Sequence, residues 1–426
     1  MNFFELIEPY YGLWTVGAVL FGACFGSFLN VVIWRVPQGE SIVVVPSHCP
    51  KCNHKIKPWE NIPILSWLAL RGKCSGCKTP ISPRYIFVEA LTALIWLTVW
   101  LQAWRIWQNQ VENPAMPYWP IALVMGYLIL LTTLIAISFI DIDHRIIPDS
   151  IIIFGICVAL IMAVGWPASH EFISAPGTVH HISHKPFLAY LMEGIPRLQF
   201  LLKSARAMAV IDSVSGILLG GGFIWIISEV GKRFYGKRRF KEKEPILITL
   251  TDEGYSTDED GLTTWEDTFI RARDYLLMTG SLKSVALSNA SASLPADDFS
   301  FEGEARITED GLVLAETTIP LDDIKELTFE TQDWTVPQEP MGLGDATLMA
   351  MIGAFLGPGS VIMILCFASI LGSFFGLIGV FVKRGKMYNP IPFGPYIAIA
   401  TFLYILFDDQ IFYVWLHLLR SIYPSG

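Results

Sequence analysis

Long apolar runs separated by polar segments restrict most strongly how this chain can fold. A helix needs about 20 apolar residues to cross a bilayer, and fewer where it is interfacial or re-entrant. Only 16% of the 426 residues are charged, against about 25% in an ordinary soluble domain. We therefore predict an all-α polytopic membrane protein with about eight transmembrane helices in the lipid bilayer. The candidate spans are 13–34, 86–104, 118–140, 150–166, 209–229, 344–357, 359–382 and 393–407.

Clusters of basic residues predict the orientation of these spans, because loops rich in Lys and Arg remain in the cytoplasm. Basic residues outnumber acidic ones in segment 35–84, in segment 232–243 after the fifth span, and in segment 383–386 after the seventh. With eight spans, all three clusters fall on one side of the membrane. That side is predicted to be cytoplasmic, with both termini on the other.

The stretch 241–340 differs from the rest of the chain. It carries 23 acidic against 7 basic residues, a net charge of −16, whereas the whole chain has −9. Short alternating pieces between turn residues predict strands. We predict a β-rich acidic cytoplasmic insertion, partly disordered near 251–261, which is either a solvated spacer or a regulatory or partner-binding module. No basic block with interleaved aromatic residues predicts nucleic-acid binding.

These patterns divide the chain into five predicted regions. The catalytic face of the protein is expected to lie on the cytoplasmic side. The regions are a first transmembrane helix (1–34), a small zinc-binding cytoplasmic domain (35–85), transmembrane helices 2–5 (86–235), the insertion (236–340) and transmembrane helices 6–8 (341–426).

Two carboxylates stand where apolar helices are predicted to meet the cytoplasm. Asp141 follows the third span, and Asp345 opens the sixth in the sequence Gly342-Leu-Gly344-Asp345. Two spans separate them, so both lie at the same membrane face. Ionisable groups at membrane depth are costly and usually functional. Of two converging carboxyl groups, one retains its proton, so that one can activate a water while the other polarises a carbonyl. The pair predicts aspartyl protease chemistry.

Two further acids near Asp141 have a simpler explanation. Asp143 and Asp149 precede or open the fourth span, whose start lies near Pro148. Asp is favoured at helix N-termini because it accepts hydrogen bonds from free amide groups there. We therefore interpret Asp143 and Asp149 as caps of that helix and keep Asp141 as the catalytic candidate.

Four cysteines form two Cys-x-x-Cys pairs, Cys49 with Cys52 and Cys74 with Cys77. Two such knuckles about 20 residues apart are typical of a zinc site. Four thiolates complete the tetrahedral shell of a closed structural site, which leaves no coordination position for catalysis. Disulfides are the alternative, and the predicted cytoplasmic location disfavours them. We predict one structural Zn²⁺ ion.

Several ordered motifs together resemble the bifunctional type IV prepilin peptidases that are also N-methyltransferases, a family of GxGD aspartyl membrane peptidases. The resemblance covers nearly the whole chain except the insertion. The matching segments are 25–37 at the end of the first span, 49–89 around the cysteines, Asp141 with 147–149, 342–345, and 390–396.

This resemblance implies an activity, substrates and a cofactor. Such an enzyme is an aspartic-type endopeptidase of the bacterial inner membrane, with Asp141 and Asp345 as catalytic residues. It removes the basic leader of type IV prepilins or type II secretion pseudopilins and methylates the new N-terminus with S-adenosylmethionine. Pilus or secretion assembly components are further expected partners. Arg84 and Glu89 are weak candidates for the methyl-donor site and are equally well explained as ion-pairing or lipid-facing anchors.

Two departures from the family pattern are expected to matter. Thr347 stands where the family often has Lys two residues after the second aspartate, which would alter the pH optimum. The insertion replaces what is usually a short connection. Two other hypotheses remain open on the residues alone: a presenilin-like GxGD intramembrane protease with other substrates, and a non-enzymatic zinc-stabilised membrane assembly or transport protein.

Overall fold

The computed structural model describes most of the chain as helices and one β-sheet. Its description covers residues 3–44, 47–112, 121–167, 204–235, 237–257, 261–269, 275–287, 301–308, 310–314, 317–337, 342–382 and 392–407. The helices are α1 Phe3–Ile7, α2 Tyr11–Arg35, α3 Leu65–Ala69, α4 Arg84–Glu112, α5 Ile121–His144, α6 Asp149–Gly165, α7 Ala205–Tyr235, α8 Trp265–Thr268, α9 Leu343–Leu356, α10 Pro358–Val382 and α11 Gly394–Phe407.

Five helical stretches among the described residues are long and apolar enough to cross a membrane: Phe4–Gln38, Arg84–Asn109, Ile121–His144, Arg206–Gly231 and Pro358–Ile378. Three shorter apolar helices, α6, α9 and α11, account for the other segments expected from the sequence. The chain is therefore a polytopic membrane protein. The expected eight spans stay a prediction, since α9 has only 14 residues and would extend about 21 Å, less than the roughly 30 Å of a hydrocarbon core.

A tight turn joins helix α9 directly to helix α10. Helix α9 ends at Leu356, Gly357 has a φ of +76°, and α10 begins at Pro358. Glycine adopts this left-handed conformation without steric cost, and proline is well suited to the first turn of the next helix. A Cβ on Gly357 would also lie 2.4 Å from Oδ2 of Asp212 in α7. Both the turn and its close packing therefore require glycine.

Residues 36–83, between α2 and α4, form a small domain that we call the cysteine domain. It contains two short turns of 3₁₀ helix, Val36–Gln38 and Pro58–Glu60, and helix α3. Two isolated β-bridges, His48 with Lys55 and Lys73 with Pro80, close its two cysteine knuckles. Because so few backbone hydrogen bonds lie in regular elements, this domain needs another source of stability, which its side chains provide.

The acidic insertion folds into an antiparallel eight-stranded sheet, which confirms the β-rich prediction. The strands are β1 Lys237–Leu250, β2 Gly254–Thr257, β3 Thr263–Thr264, β4 Leu276–Leu287, β5 Glu302–Thr308, β6 Gly311–Leu314, β7 Thr317–Ile319 and β8 Ile324–Pro337. Their order is β3-β2-β1-β8-β4-β5-β6-β7. One apolar cluster joins Tyr255 and Trp265 near one end of this order to Leu312 and Ile319 near the other, so the sheet curls around its core.

The sheet contradicts part of the disorder expected near residues 251–261. Strand β2 lies within this stretch, and the indole Nε1 of Trp265 donates a hydrogen bond to the carbonyl oxygen of Thr251 at 3.0 Å. The polar composition there predicted disorder because it ignored the pairing of β2 with β1. Residues 258–260 lie outside the described part of the chain. With its own core, residues 226–342 form a compact unit distinct from residues 1–225 and 343–426.

Candidate active site and metal centre

Asp141 lies in the last turn of α5 and is buried, with 6% of its surface exposed. The backbone N–H of Gly394 donates a hydrogen bond to Oδ2 of Asp141 at 3.0 Å. Gly394 is the first residue of α11, where amide groups are free and the helix dipole favours a negative charge. A Cβ at position 394 would lie only 2.7 Å from the same oxygen. Glycine is therefore required for this helix end to reach the carboxylate.

Asp345 stands in the first turn of α9 and is half-buried. Its carboxyl group lies close enough to Asp141 for a direct charge interaction between the two. Helix α9 packs against both α5 and α6, and Gly344 at its start lies against Ile147, three residues after the end of α5. The structure thus places the two predicted carboxylates together, although α6 and α7 separate them in the sequence.

Gly344 and Thr347 support the start of α9 beside the carboxylates. A Cβ on Gly344 would lie 3.0 Å from Cβ of Ile147, so this glycine admits the segment between α5 and α6. Thr347 donates a hydrogen bond through Oγ1 to the carbonyl oxygen of Gly344 at 2.9 Å, a local bond that a lysine could not make in the same way.

The interpretation of Asp143 as a helix cap is wrong. Asp143 belongs to α5, and its carboxylate forms an ion pair with Arg84 at the start of α4. Arg84 also packs over the ring of Phe139, with 5.0 Å between the guanidinium carbon and the ring centroid. This pair joins α4 to α5, a contact that a local pattern does not reveal. Asp149 is the first residue of α6, at the expected helix start, but the helix has no side-chain cap hydrogen bond.

The two residues considered for methyl-donor binding are engaged elsewhere. Arg84 pairs with Asp143. Glu89 is buried, and its Oε2 accepts a hydrogen bond from the backbone N–H of Ile64 at 2.6 Å. Both side chains thus have partners within the chain, and their candidacy for the donor site stays a prediction. Of the two alternatives given from the sequence, ion pairing describes Arg84.

The four paired cysteines converge, with their Sγ atoms all within 4.8 Å of one another. Two of the separations, Cys49 to Cys77 and Cys52 to Cys74, are 3.9 Å. Sulfurs about 2.3 Å from a zinc ion in a tetrahedral shell lie about 3.8 Å apart. All four are free thiols without disulfides. The cluster could therefore hold a metal ion such as zinc.

The two knuckles have the same backbone geometry. The N–H of Cys49 donates to the carbonyl of His54, and the N–H of Cys74 donates to the carbonyl of Thr79. Directly after each pair, Asn53 and Lys78 have positive φ angles of 55° and 60°. Residues other than glycine rarely adopt this left-handed backbone conformation. Their repetition in both knuckles indicates a turn that aims both sulfurs of a pair at one point.

Hydrogen bonds favour the thiolate at two of the four sulfurs. The side chain and backbone of Thr79 lower the pKa of Cys77 to about 6. Backbone amides, first that of Lys51, likewise lower the pKa of Cys49. Metal ions bind the thiolate and not the thiol. At Cys52 a backbone hydrogen bond from His54 acts in the same direction, but the neighbouring thiols, first that of Cys77, together with desolvation outweigh it and raise the pKa to about 11. The thiolate is therefore favoured at one sulfur of each knuckle.

A polar network joins the two knuckles, and local patterns did not predict it. His54 Nε2 lies 3.2 Å from Oε2 of Glu60 and 3.0 Å from Oγ of Ser75, which belongs to the second knuckle. The amide of Lys57 donates to Glu60 at 3.0 Å. These hydrogen bonds, first that from Lys57, lower the pKa of Glu60 to about 2. Outer contacts of this kind hold metal ligands in position.

Two carboxylates at the ends of apolar helices, in a chain that also carries a four-thiolate cluster, define the class as a membrane protein with GxGD-type acids. Two family models match: the Bacterial Peptidase A24 N-terminal domain at residues 20–103 and the Type IV leader peptidase family at residues 331–377. The first match contains the four cysteines and the second contains Asp345. These two matches assign to residues 20–103 and 331–377 a similarity to type IV leader peptidases.

Individual relatives agree with this assignment. Proteins named prepilin leader peptidase/N-methyltransferase are similar to this chain: one from Myxococcus xanthus is 42% identical, covering 37% of this chain and 43% of the relative. One from Aeromonas hydrophila is 25% identical over 95% of this chain and 96% of the relative, and one from Pseudomonas aeruginosa is 25% identical over 92% and 90%.

The relatives with the higher sequence identity match only part of their length. Among four relatives at 37–42% identity, the matched region spans 43–59% of the relative's length, or about half. No solved structure matches the chain significantly.

Proposed function

We propose that this chain is a membrane aspartyl endopeptidase that removes the leader of prepilin-like substrates, with Asp141 and Asp345 as its catalytic residues. The proximity of these two carboxylates at the ends of two apolar helices is the observation that carries the proposal. The names of the relatives supply the substrate class, prepilins or pseudopilins.

The chemistry needs one ionised and one protonated carboxyl group. The ionised group takes a proton from a water as that water attacks the scissile carbonyl, while the protonated group donates a hydrogen bond to the carbonyl oxygen. A C–O bond forms, the C–N bond breaks, and the leaving amine receives a proton from the carboxyl pair. The amide of Gly394 holds Oδ2 of Asp141 during these steps.

A location at the cytoplasmic face of the bacterial inner membrane completes the proposal. Basic residues concentrate in segments 35–84, 232–243 and 383–386, and eight spans would put all three on one side with Asp141 and Asp345. The basic leader of a prepilin also lies on that side of the membrane before cleavage. Contact with pilus or secretion components belongs to the same proposal.

A second activity, methylation of the new N-terminus, is proposed from the names of the same relatives. It requires S-adenosylmethionine as the methyl donor. No residue is assigned to this step. For the cysteine cluster we propose zinc, which as a closed four-thiolate site would fold the domain and not react. The four cysteines would bind the ion and so hold the two knuckles together.

The test uses membranes that contain the full-length protein, a prepilin and labelled S-adenosylmethionine. Asp141→Asn and Asp345→Asn keep the size of each side chain but remove its charge, and leader cleavage should fall at least about a hundredfold in either variant, since general acid–base groups contribute about 10²–10⁴-fold. The matched control is Asp143→Asn, because its carboxylate faces Arg84; it should retain cleavage. Unimpaired cleavage by Asp141→Asn or Asp345→Asn would refute the assignment of these two residues as catalytic. Cleavage by the wild type without transfer of the label would refute the proposed methyltransferase activity.

A further inference from the structure

We propose that the cysteine domain rests in the lipid interface, with two apolar tips inserted among the lipid head groups and the outer acyl chains. The first tip consists of Val43 and Val44, and the second of Trp59, Ile62, Leu65 and Leu68. Their exposed fractions run from 45% for Ile62 to 85% for Val43. The proposal depends on the protein spanning a membrane and not on its proposed peptidase activity.

The depth of the second tip follows from its bond to a membrane helix. The N–H of Ile64 donates to Glu89 at 2.6 Å. Glu89 lies five residues into α4, which begins at Arg84, and five residues of helix rise about 7.5 Å. The head-group layer on each side of a bilayer is about 5–7 Å thick. A segment attached at Glu89 therefore lies at the boundary between head groups and acyl chains.

The backbone at Ile64 is built to hold this position. Ile64 has φ 63° and ψ −53°, and the N–H of Leu65 donates to the carbonyl of Pro63 at 2.6 Å. These values describe a γ-turn of the rare, strained type, which is unusual for a β-branched residue. Such strain persists only where surrounding contacts hold it. The buried carboxylate of Glu89 is that contact, and α3 begins directly after the turn.

The first tip is held in a similar manner at the end of α2. Arg35, the last residue of α2, is buried, and its Nη1 donates to the carbonyl of Ser41 at 3.1 Å. Oγ of Ser41 then accepts the amides of Val43 and Val44 at 3.3 and 3.2 Å. The turn thus satisfies the amides of both valines internally while their side chains remain outside. That combination suits an apolar surrounding, where unsatisfied amides are costly.

Lipid is the occupant that the neighbouring surfaces favour. The two spans that flank the domain also expose large apolar side chains, among them Phe28 on α2 and Phe87 on α4, as lipid-facing helices do. Lys57 lies over the ring of Trp59, 5.5 Å from its centroid. Tryptophan and lysine together are typical of the membrane–water interface, where the ring enters the apolar layer and the charge meets head groups. The apolar surface is thus continuous with a lipid-facing region.

The test is photolabelling of the full-length zinc-loaded protein in liposomes of phosphatidylcholine and phosphatidylglycerol that contain a phospholipid with a photoreactive acyl chain. Adducts are mapped by mass spectrometry. We expect adducts on segments 43–44 and 59–68 at a yield similar to that on Phe87, and none on Lys73. In Leu65→Glu/Leu68→Glu, the yield on 59–68 should fall at least about tenfold with one zinc per chain retained. The control Lys55→Gln, at an exposed site in the same domain, should leave the adduct map unchanged.

Two results would overturn the proposal. One is a wild-type map with Phe87 labelled and both tips unlabelled. The other is loss of tip adducts when a prepilin is added, with photocrosslinks from a photoreactive residue at position 65 to that prepilin in their place, because the surface would then bind substrate and not lipid. Should the double-glutamate variant lose its zinc, the wild-type map still decides between these outcomes.

Discussion

The helical unit and the β-sheet of the insertion place polar and apolar groups in opposite ways. In the helical unit, carboxylates such as Asp141, Glu89 and Asp212 are buried while Leu13, Leu218 and many other large apolar side chains are exposed. In the sheet, no charged side chain is buried among the described residues, the buried polar side chains are threonines such as Thr331, and ion pairs such as Arg239 with Asp333 lie outside the core. Each region thus shows which solvent surrounds it, lipid for the helices and water for the sheet.

The cysteine domain follows neither arrangement. Its short elements enclose few buried apolar side chains among the described residues, and its apolar tips point outward. Four convergent sulfurs and the His54–Glu60–Ser75 network take the place of a core. Small domains without a sufficient core commonly rely on such cross-links or metals. The comparison therefore distinguishes three sources of stability in one chain.

Removal of one cysteine should have the largest effect. Cys74 is the buried member of the cluster, and Cys74→Ser should abolish zinc binding and unfold the cysteine domain, because structural zinc supplies about 10–16 kcal/mol in small zinc-dependent folds. Metal analysis of the purified protein measures this. The control is Cys24→Ser, which alters a cysteine of α2 outside the cluster and should retain one zinc per chain. A metal-free wild type would contradict the prediction.

Truncation of a core phenylalanine tests the difference between sheet and helices directly. Phe329 is fully buried in the sheet, so Phe329→Ala should lower the free energy of unfolding of the insertion by about 3–5 kcal/mol. Phe87→Ala removes the same side chain from a lipid-facing position that is 58% exposed, and should cost much less. Thermal resistance to proteolysis in membranes compares the two. Equal losses would show that Phe87 is packed against protein.

A methyl group beside Asp141, the carboxylate that we propose as catalytic, should have an intermediate effect. Gly394→Ala places Cβ about where it would meet Oδ2 of Asp141 at 2.7 Å, so the amide must withdraw and cleavage should fall about ten- to hundredfold, equivalent to about 1.4–2.8 kcal/mol. The initial rate of leader removal measures this loss. In α2, Gly17→Ala meets no atom within 4 Å and should keep full activity. A fully active Gly394→Ala enzyme would show that this hydrogen bond is dispensable.

The exposed ion pair of the sheet should have the smallest effect. Hydrogen bonding from Arg239 holds the pKa of Asp333 below its ordinary value. A lowered folded pKa gives stability that is present above the unfolded value of about 3.9 and is lost as pH falls through the folded value. Asp333→Asn and Arg239→Gln should each remove this acid-dependent part and change neutral stability slightly. Unfolding of the insertion between pH 5 and pH 2 provides the measurement, and an unchanged pH dependence in both variants would contradict it.

Local sequence was sufficient to predict those features that depend on a short run of residues. Apolar runs predicted each apolar helix, since transfer of a segment into lipid depends on its own composition. The two Cys-x-x-Cys knuckles predicted the four-sulfur cluster, because each knuckle turns within a few residues. Alternating residues predicted strands in the insertion but neither their order nor the enclosure of β2 next to β1.

The sequence by itself therefore determined the membrane class, the candidate carboxylates and the candidate metal ligands. Only the tertiary structure decided that Gly394 donates to Asp141, that Asp143 binds Arg84 instead of capping a helix, and that Glu89 holds the strained turn at Ile64. The physical reason is distance along the chain. Such contacts form between groups on separate elements, and their geometry is fixed by how whole helices pack, which no local pattern specifies.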